Sequence, residues 1–216
     1  MFEGGTTMNY FPLLLNIEYK TVVVVGGGHV ARQKVEALLP TKANIVVISP
    51  TITDELKNYV ENCDVTWKKK EFEPADLDDA ALVFAVTNEQ AVNDAVEEAT
   101  QHWQLLSRAD AKGRVDFINP AVVRRGDLIL TVSTSGASPR LTRQVKEELA
   151  KQYEDYYEQY VAFLGQARQQ ILASFTGNQK KQLLIDLLEP QLLEWVKAGH
   201  INKCEQWLQQ RLGDSL

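Results

Sequence analysis

Three groups of residues in this 216-residue chain have the types and spacing to do chemistry. The first is a glycine turn. Val22-Val23-Val24-Val25 runs into Gly26-Gly27-Gly28-His29-Val30-Ala31, so Gly26-x-Gly28-x-x-Ala31 follows an apolar run and opens a helix-forming stretch. That order suits a dinucleotide. Gly26 permits the tight turn, Gly28 leaves the backbone open to a pyrophosphate, and Ala31 lets helix and sheet pack closely. The helix N-terminus adds unpaired N–H groups and the positive end of its dipole. Gly27, His29 and Val30 complete the expected cofactor-binding turn, for which the bland alternative is a plain strand-to-helix connection. Ser49-Pro50 ends the next apolar run, with Ser49 where a carboxylate commonly holds the adenosine ribose. A hydroxyl can make the same bond, and no Arg or Lys follows before Lys57 to receive a 2′-phosphate, which favours NAD over NADP.

The second group is Ala85-Val86-Thr87-Asn88, at the end of a further apolar run. Ligands of open α/β sheets gather at such carboxyl edges, so Thr87 and Asn88 are candidates for the nicotinamide ribose. Asn88 can equally cap a helix starting near Gln90. The third group is polar and basic: Ser107-Arg108-Ala109-Asp110, Asp116-Phe117-Ile118-Asn119-Pro120-Ala121 and Ser133-Thr134-Ser135-Gly136-Ala137-Ser138-Pro139-Arg140. Arg108, Lys112, Arg114, Arg124, Arg125, Arg140 and Arg143 lie within 36 residues of a chain whose net charge is −6. A local basic cluster in an acidic protein suits a small polyanionic substrate better than a nucleic acid, with some of these arginines simply solvated or at an interface.

The elements that must position these groups change character along the chain. Thr21–Val25, Ile45–Ile48, Leu82–Val86 and Leu128–Val132 are strand-sized apolar runs, and Val65–Phe72 is a possible further strand. Continuous rather than alternating apolar runs fit a parallel sheet covered on both faces. Val30–Leu39, Thr53–Val60 and Gln90–Trp103 read as the helices between them, giving a doubly wound α/β fold. Ser138 and Pro139 have the order of a helix N-cap and first residue, and one long helix is expected from there to about Ser174, with Tyr153, Tyr156, Tyr157, Tyr160 and Leu164 as a stripe. Lys180–Leu188, Gln191–Lys197 and Ile201–Leu212 are further helices. The expected organisation is a Rossmann-like parallel-sheet domain over 1–113, a dimerisation and substrate-contact segment over 114–150, and an all-helical domain over 151–216.

Composition sets outer limits. With 44% hydrophobic and 24% charged residues the chain can bury a core, and its longest apolar runs are far shorter than the roughly 18–20 residues of a membrane span. Met1–Met8 lacks the basic and apolar regions of a signal peptide, and Met8 makes Met1–Thr7 read as an added or alternative start. Cys63 and Cys204, 141 residues apart, form neither a disulfide framework nor a zinc pattern, as expected of ordinary thiols in a cytoplasmic protein. His29, His102 and His200 are scattered, and no metal site is expected.

Several motifs in their order resemble a known family. Pro12-Leu13-Leu14-Leu15, Val24-Val25-Gly26-Gly27-Gly28-x-Val30-Ala31-x-x-Lys34, Phe72-x-Pro74-x-Asp76-Leu77, Ala85-Val86-Thr87-Asn88, Asp116-Phe117-Ile118-x-Pro120-Ala121 and Ser133–Pro139 look like the dehydrogenase module of siroheme synthases. Precorrin-2 dehydrogenases, some of them also sirohydrochlorin ferrochelatases, carry this series. The resemblance spans roughly residues 10–150. It implies a cytoplasmic homodimer that oxidises precorrin-2 to sirohydrochlorin with NAD, on the way to siroheme or cobalamin. It implies Asp110 as catalytic base or substrate-orienting group, although Ser107-Arg108 departs from the Asn-Val-Val-Asp that family members more often carry. Asp116 is a rival in what looks like a structural turn. The eight carboxylates of precorrin-2 would account for the basic cluster, with Arg108, Ser133, Ser135, Gly136, Ser138 and Arg140 as substrate contacts. No methyltransferase domain of the fused type is expected to follow, and without a metal constellation dehydrogenation alone is expected. The alternatives are a bifunctional dehydrogenase and ferrochelatase, another NAD-dependent oxidoreductase of an anionic substrate, and a non-catalytic dinucleotide-sensing module.

Overall fold

The computed structural model describes residues 10–110 and 113–213. Met1–Met8 and the Lys112 member of the basic cluster lie outside the described residues. The chain divides into two compact units, Met1–Asn119 and Pro120–Leu216.

In the first unit, β1 (Thr21–Val25), β2 (Asn44–Ile48), β3 (Thr66–Lys68), β4 (Ala80–Ala85) and β5 (Leu105–Arg108) form one parallel sheet in the order β3-β2-β1-β4-β5. The helices α1 (His29–Leu38), α2 (Asp54–Glu61) and α3 (Gln90–Ala99) connect them. Val22 and Val24 share a core with Ala31 and Val35 of α1 and Leu56 of α2, whereas Val23 and Val25 share one with Val96 of α3 and Leu106 of β5. Successive side chains of a strand point to opposite faces, so a central strand covered on both sides is apolar at every position. That is why β1 is four consecutive valines after Thr21. Val25 pairs with Ile48 of β2 and with Ala85 of β4, which aligns the carboxyl ends of the three inner strands on one edge.

Two expectations are corrected here. Leu128–Val132 is not a strand of the parallel sheet; it is β7, paired antiparallel with β6 (Ala121–Arg125) in a two-stranded sheet of the second unit. Only Gly126 and Asp127 separate the two strands, and a two-residue connection can only turn the chain back, since parallel pairing needs a long crossover. The edge of the parallel sheet next to β4 is instead β5, which ends in Ser107 and Arg108 and so does not read as an apolar run.

The expected long helix is two, α4 (Pro139–Gln152) and α5 (Tyr156–Ser174). No Pro or Gly lies at the break; its cause is tertiary. Arg125 of β6 donates to the Ala150 carbonyl near the end of α4 (3.3 Å) and pairs with Asp155 at the start of α5 (3.1 Å). The two helices also pack mainly against different partners. α4 packs on the β6–β7 hairpin, while Tyr160, Phe163, Ala167 and Ile171 of α5 share a core with Leu183 of α6 (Gly177–Asp186), Leu192 and Val196 of α7 (Pro190–Lys197), and Cys204 and Leu208 of α8 (Ile201–Gly213). Cys204 is buried and Cys63 exposed, both as free thiols. Among the described residues no helix is long and apolar enough to cross a membrane.

Leu192 is fully buried in the helical core. Truncating a buried leucine removes its transfer free energy and leaves a cavity, so Leu192→Ala should lower stability by about 2–5 kcal/mol, read as an earlier urea midpoint in a far-UV circular dichroism titration.

Candidate active site

The glycine turn lies where β1 meets α1, and each glycine meets a different constraint. Gly26 has φ +127°, and a Cβ there would sit 2.8 Å from the Val86 carbonyl oxygen, so no other residue fits without shifting the β4 end. A Cβ on Gly27 would overlap the Thr51 carbonyl oxygen and lie 2.9 Å from Ser49 Oγ. Gly28 is the opposite case: its Cβ would meet nothing within 4 Å. Space is therefore open directly in front of the α1 N-terminus. Gly28 is the N-cap of that helix, no side chain caps it, and its first turn holds no acidic residue. Unpaired N–H groups, a positive dipole end and a bare backbone fit a pyrophosphate. His29 and Val30 begin the helix and are exposed, and Pro50 is exposed beside half-buried Ser49. The loop is held in place by Gly26 N–H donating to Ile48 O (2.9 Å) and Thr53 N–H to Gly27 O (3.0 Å).

At the end of β4, Thr87 is half-buried and Asn88 exposed. The helix N-cap is Glu89 rather than Asn88, so the capping alternative for Asn88 is not the one adopted. Thr87 is tied down by a residue outside the sequence motifs. Asn93, 1% exposed on α3, accepts a hydrogen bond from Thr87 N–H (3.2 Å) and donates from Nδ2 to the Thr87 carbonyl (3.1 Å) and to Asp110 Oδ2 (3.2 Å). An amide side chain among the buried positions of α3, three residues before Val96, was its only sequence signal.

Asp110 follows β5 by two residues, and Arg108 binds both of its oxygens, Nε to Oδ1 at 3.0 Å and Nη2 to Oδ2 at 2.8 Å. The Arg108 side chain is 2% exposed and also pairs with Asp94 Oδ1 (2.7 Å) and Glu97 Oε2 of α3. These carboxylates, Asp110 foremost, raise the Arg108 pKa and keep the guanidinium charged. The structure thus gives Arg108 a different place from the expected substrate contact. Its donors are committed to protein carboxylates in the interior, and a substrate carboxylate would have to displace them. An open cleft of about 450 Å³ beside it is lined by Asp94, Glu97, Glu98, Gln90, Arg108 and Gly113; its three carboxylates outnumber the one, already paired, guanidinium, which is unsuited to a polyanion.

Other members of the basic cluster are also engaged. Arg114 pairs with Asp116 (2.8 Å) and donates to the Gln104 carbonyl, Arg125 holds the α4–α5 break, and Arg143 pairs with Glu147 one turn on. Asp116 accepts from Leu106 N–H (2.8 Å), a structural bond. Arg124 and Arg140 are exposed. In the second unit, Ser138 caps α4 by accepting from Leu141 N–H, Ser133 Oγ accepts from Ser135 N–H, and Ser135 and Gly136 have φ of +51° and +87°. Ser133, Ser135, Gly136, Ser138 and Arg140 therefore cluster in one turn at the start of a 14-residue helix. Among the described residues no group of three or more His, Cys, Asp or Glu side chains converges as for a metal ion.

A 3-2-1-4-5 parallel sheet with an open glycine turn after its first strand defines a Rossmann-type protein that binds a nicotinamide dinucleotide. A family model described as putative NAD(P)-binding matches residues 13–121, and one described as sirohaem biosynthesis protein central matches residues 125–152. A precorrin-2 dehydrogenase of Priestia megaterium is 32% identical over 182 residues, covering 84% of this chain and 90% of its own. A siroheme synthase of Nitrosospira multiformis is 31% identical over 211 residues, 95% of this chain but 45% of its own length. The solved structure of SirC, a precorrin-2 dehydrogenase, superposes with a TM-score of 0.80 at 29% identity, covering 93% of this chain and 100% of that one. The chain belongs to the family of precorrin-2 dehydrogenases and siroheme synthases. It spans less than half the length of the siroheme synthase and nine tenths of the dehydrogenase.

Gly28 and Gly26 separate binding from folding. Gly28→Ala should leave the melting temperature unchanged and weaken nicotinamide dinucleotide binding by about tenfold or more in calorimetric titration, because the new methyl meets no protein atom and enters only the open space before the α1 N-terminus. Gly26→Ala should destabilise the fold itself by about 1–3 kcal/mol through backbone strain.

Proposed function

We propose that this protein oxidises precorrin-2 to sirohydrochlorin with NAD as hydride acceptor. The observation that carries this most directly is the combination of an open pyrophosphate turn with an oriented carboxylate, Asp110, beyond the neighbouring strands' carboxyl ends, in a chain that matches a precorrin-2 dehydrogenase over nine tenths of that protein. The oxidation removes one hydride and one proton from the macrocycle. Bound nicotinamide supplies the hydride acceptor. The remaining work belongs to the chain: the Gly26–Gly28 turn and the α1 N-terminus hold the pyrophosphate, Ser49 faces the adenosine ribose, and Thr87 and Asn88 border the nicotinamide end. Asp110 takes the proton or orients the carbon that loses it, with both oxygens set in place by Arg108.

Two lysines at the end of β3, the strand paired with β2, support NAD over NADP. Lys68 pairs with Asp76 (3.1 Å), and Lys70 with Glu73 (2.8 Å) and Asp76 (3.2 Å), so these two charges are already answered by carboxylates. Ser133, Ser135, Gly136, Ser138 and Arg140 remain the proposed substrate-contact turn, and residues 114–150 the proposed dimerisation segment of a cytoplasmic homodimer. The β6–β7 hairpin supports that role, because a two-stranded sheet has two edges and Val122 and Leu141 leave apolar surface exposed near it. Dehydrogenation without iron insertion is part of the same proposal.

Incubation with precorrin-2 and NAD should form NADH in step with sirohydrochlorin, with a kcat/KM for NAD at least about tenfold above that for NADP. Failure of the unaltered protein to reduce NAD overturns the proposal. Asp110→Asn should bind both ligands and lose about 10²–10⁴-fold in kcat. Iron insertion into sirohydrochlorin should proceed at the spontaneous rate.

A further inference from the structure

Asn93 is bonded to two separate parts of the candidate site while being almost wholly buried. Its Nδ2 donates to Thr87 O and to Asp110 Oδ2, and its Oδ1 accepts from Thr87 N–H and lies 3.0 Å from Thr87 Oγ1. A primary amide has two donor hydrogens and one acceptor oxygen with two lone pairs; both hydrogens and one lone pair are used here, and the second lone pair shares the single Thr87 hydroxyl hydrogen with Glu89 O (2.9 Å). Packing alone does not need such a group, since Val96 fills the next buried position of α3 with an apolar side chain.

The charged surroundings of Asp110 give the amide its meaning. From β5, Arg108 grips both carboxylate oxygens; behind it, Asp94 and Glu97 of α3 draw on the same guanidinium. Arg108 thus fixes the plane of the carboxylate relative to β5. Only Asn93 among these residues ties the carboxylate to the turn that ends β4. We infer that Asn93 is a positioning residue, which holds the Asp110 carboxylate in register with the Thr87 turn and so with the nicotinamide end of the cofactor site. This rests on the assignment of Asp110 to the reaction under the proposed function.

Two substitutions test it in the full-length protein with precorrin-2 and NAD. Asn93→Asp keeps the size and the acceptor but sets a second carboxylate against Asp110. Two carboxyl groups at hydrogen-bond distance share a proton and titrate as a pair, with one apparent pKa raised. The acid limb of the kcat–pH profile should therefore move about one unit or more toward higher pH, with kcat at neutral pH down about tenfold or more. Asn93→Ala removes the tie without adding charge; kcat should fall about tenfold, with the KM for precorrin-2 and the affinity for NAD within about threefold of the parent. Melting temperature and circular dichroism identify folded variants. A purely structural Asn93 lowers the melting temperature but leaves kcat and the acid limb where they were, and that result overturns the inference. If Asn93→Asp does not fold, Asn93→Ala decides: kcat within about threefold of the parent overturns the inference. An unaltered protein that forms no NADH is a different outcome, which removes the dehydrogenase function and this inference with it.

Discussion

Parallel strand pairing is the constraint from which the candidate site follows. A parallel neighbour cannot be reached by a tight turn, so each connection crosses over the sheet and returns the chain to the same starting edge. All carboxyl ends then fall on the opposite edge. Because Val25 of β1 pairs with both Ile48 and Ala85, the glycine turn, Ser49 and Thr87 are delivered to that edge side by side, although they are separated by more than sixty residues of sequence at the extremes. The register is enforced by burial: each inner strand is covered on both faces, and a slip would exchange the packing partners of the two valine sets of β1. Gly26 sits at this junction, where its missing Cβ lets the β4 end come within contact distance.

The Arg108 cluster shows a second kind of ordering. Taking an arginine out of water costs far more than its burial returns unless its donors are answered, and here three carboxylates answer it. Asp94 is half exposed, which leaves the surplus negative charge partly in solvent, while the guanidinium itself is sealed. The cluster supplies geometry more than net stability. It fixes Asp110 in a plane, and the amide of Asn93 fixes that plane against the next turn. The acidic balance of the chain is thus partly placed next to the most buried cation among the described residues rather than spread over a solvated face.

Particular residues show how much was legible beforehand. β1, β2 and β4 were readable because a doubly covered parallel strand has no alternative to a continuous apolar run. The glycine turn was readable because its function rests on missing side chains at fixed spacing. β5 was not, because Ser107 and Arg108 look solvated until their partners are known, and those partners lie on α3 and beyond the strand. The basic cluster misled for the same reason: composition counts arginines but cannot see that Arg108, Arg114, Arg125 and Arg143 are already paired within the protein. Asn93 carried only a faint signal, an amide in an otherwise apolar stripe.

The sequence by itself determined the class of fold, the place of the dinucleotide turn and the family, because apolar periodicity, glycine spacing and motif order are local or linear properties. Tertiary structure decided what linear order cannot carry. It divided the long aromatic helix at Tyr153-Glu154-Asp155, with Arg125 bonded to both sides of the break, and folded Leu128–Val132 back on its neighbour. It also brought Asn93, Arg108 and Asp110 together from a helix, a strand and the segment beyond that strand. Those outcomes depend on which buried charge meets which partner, and such pairings exist only once the chain has closed around them.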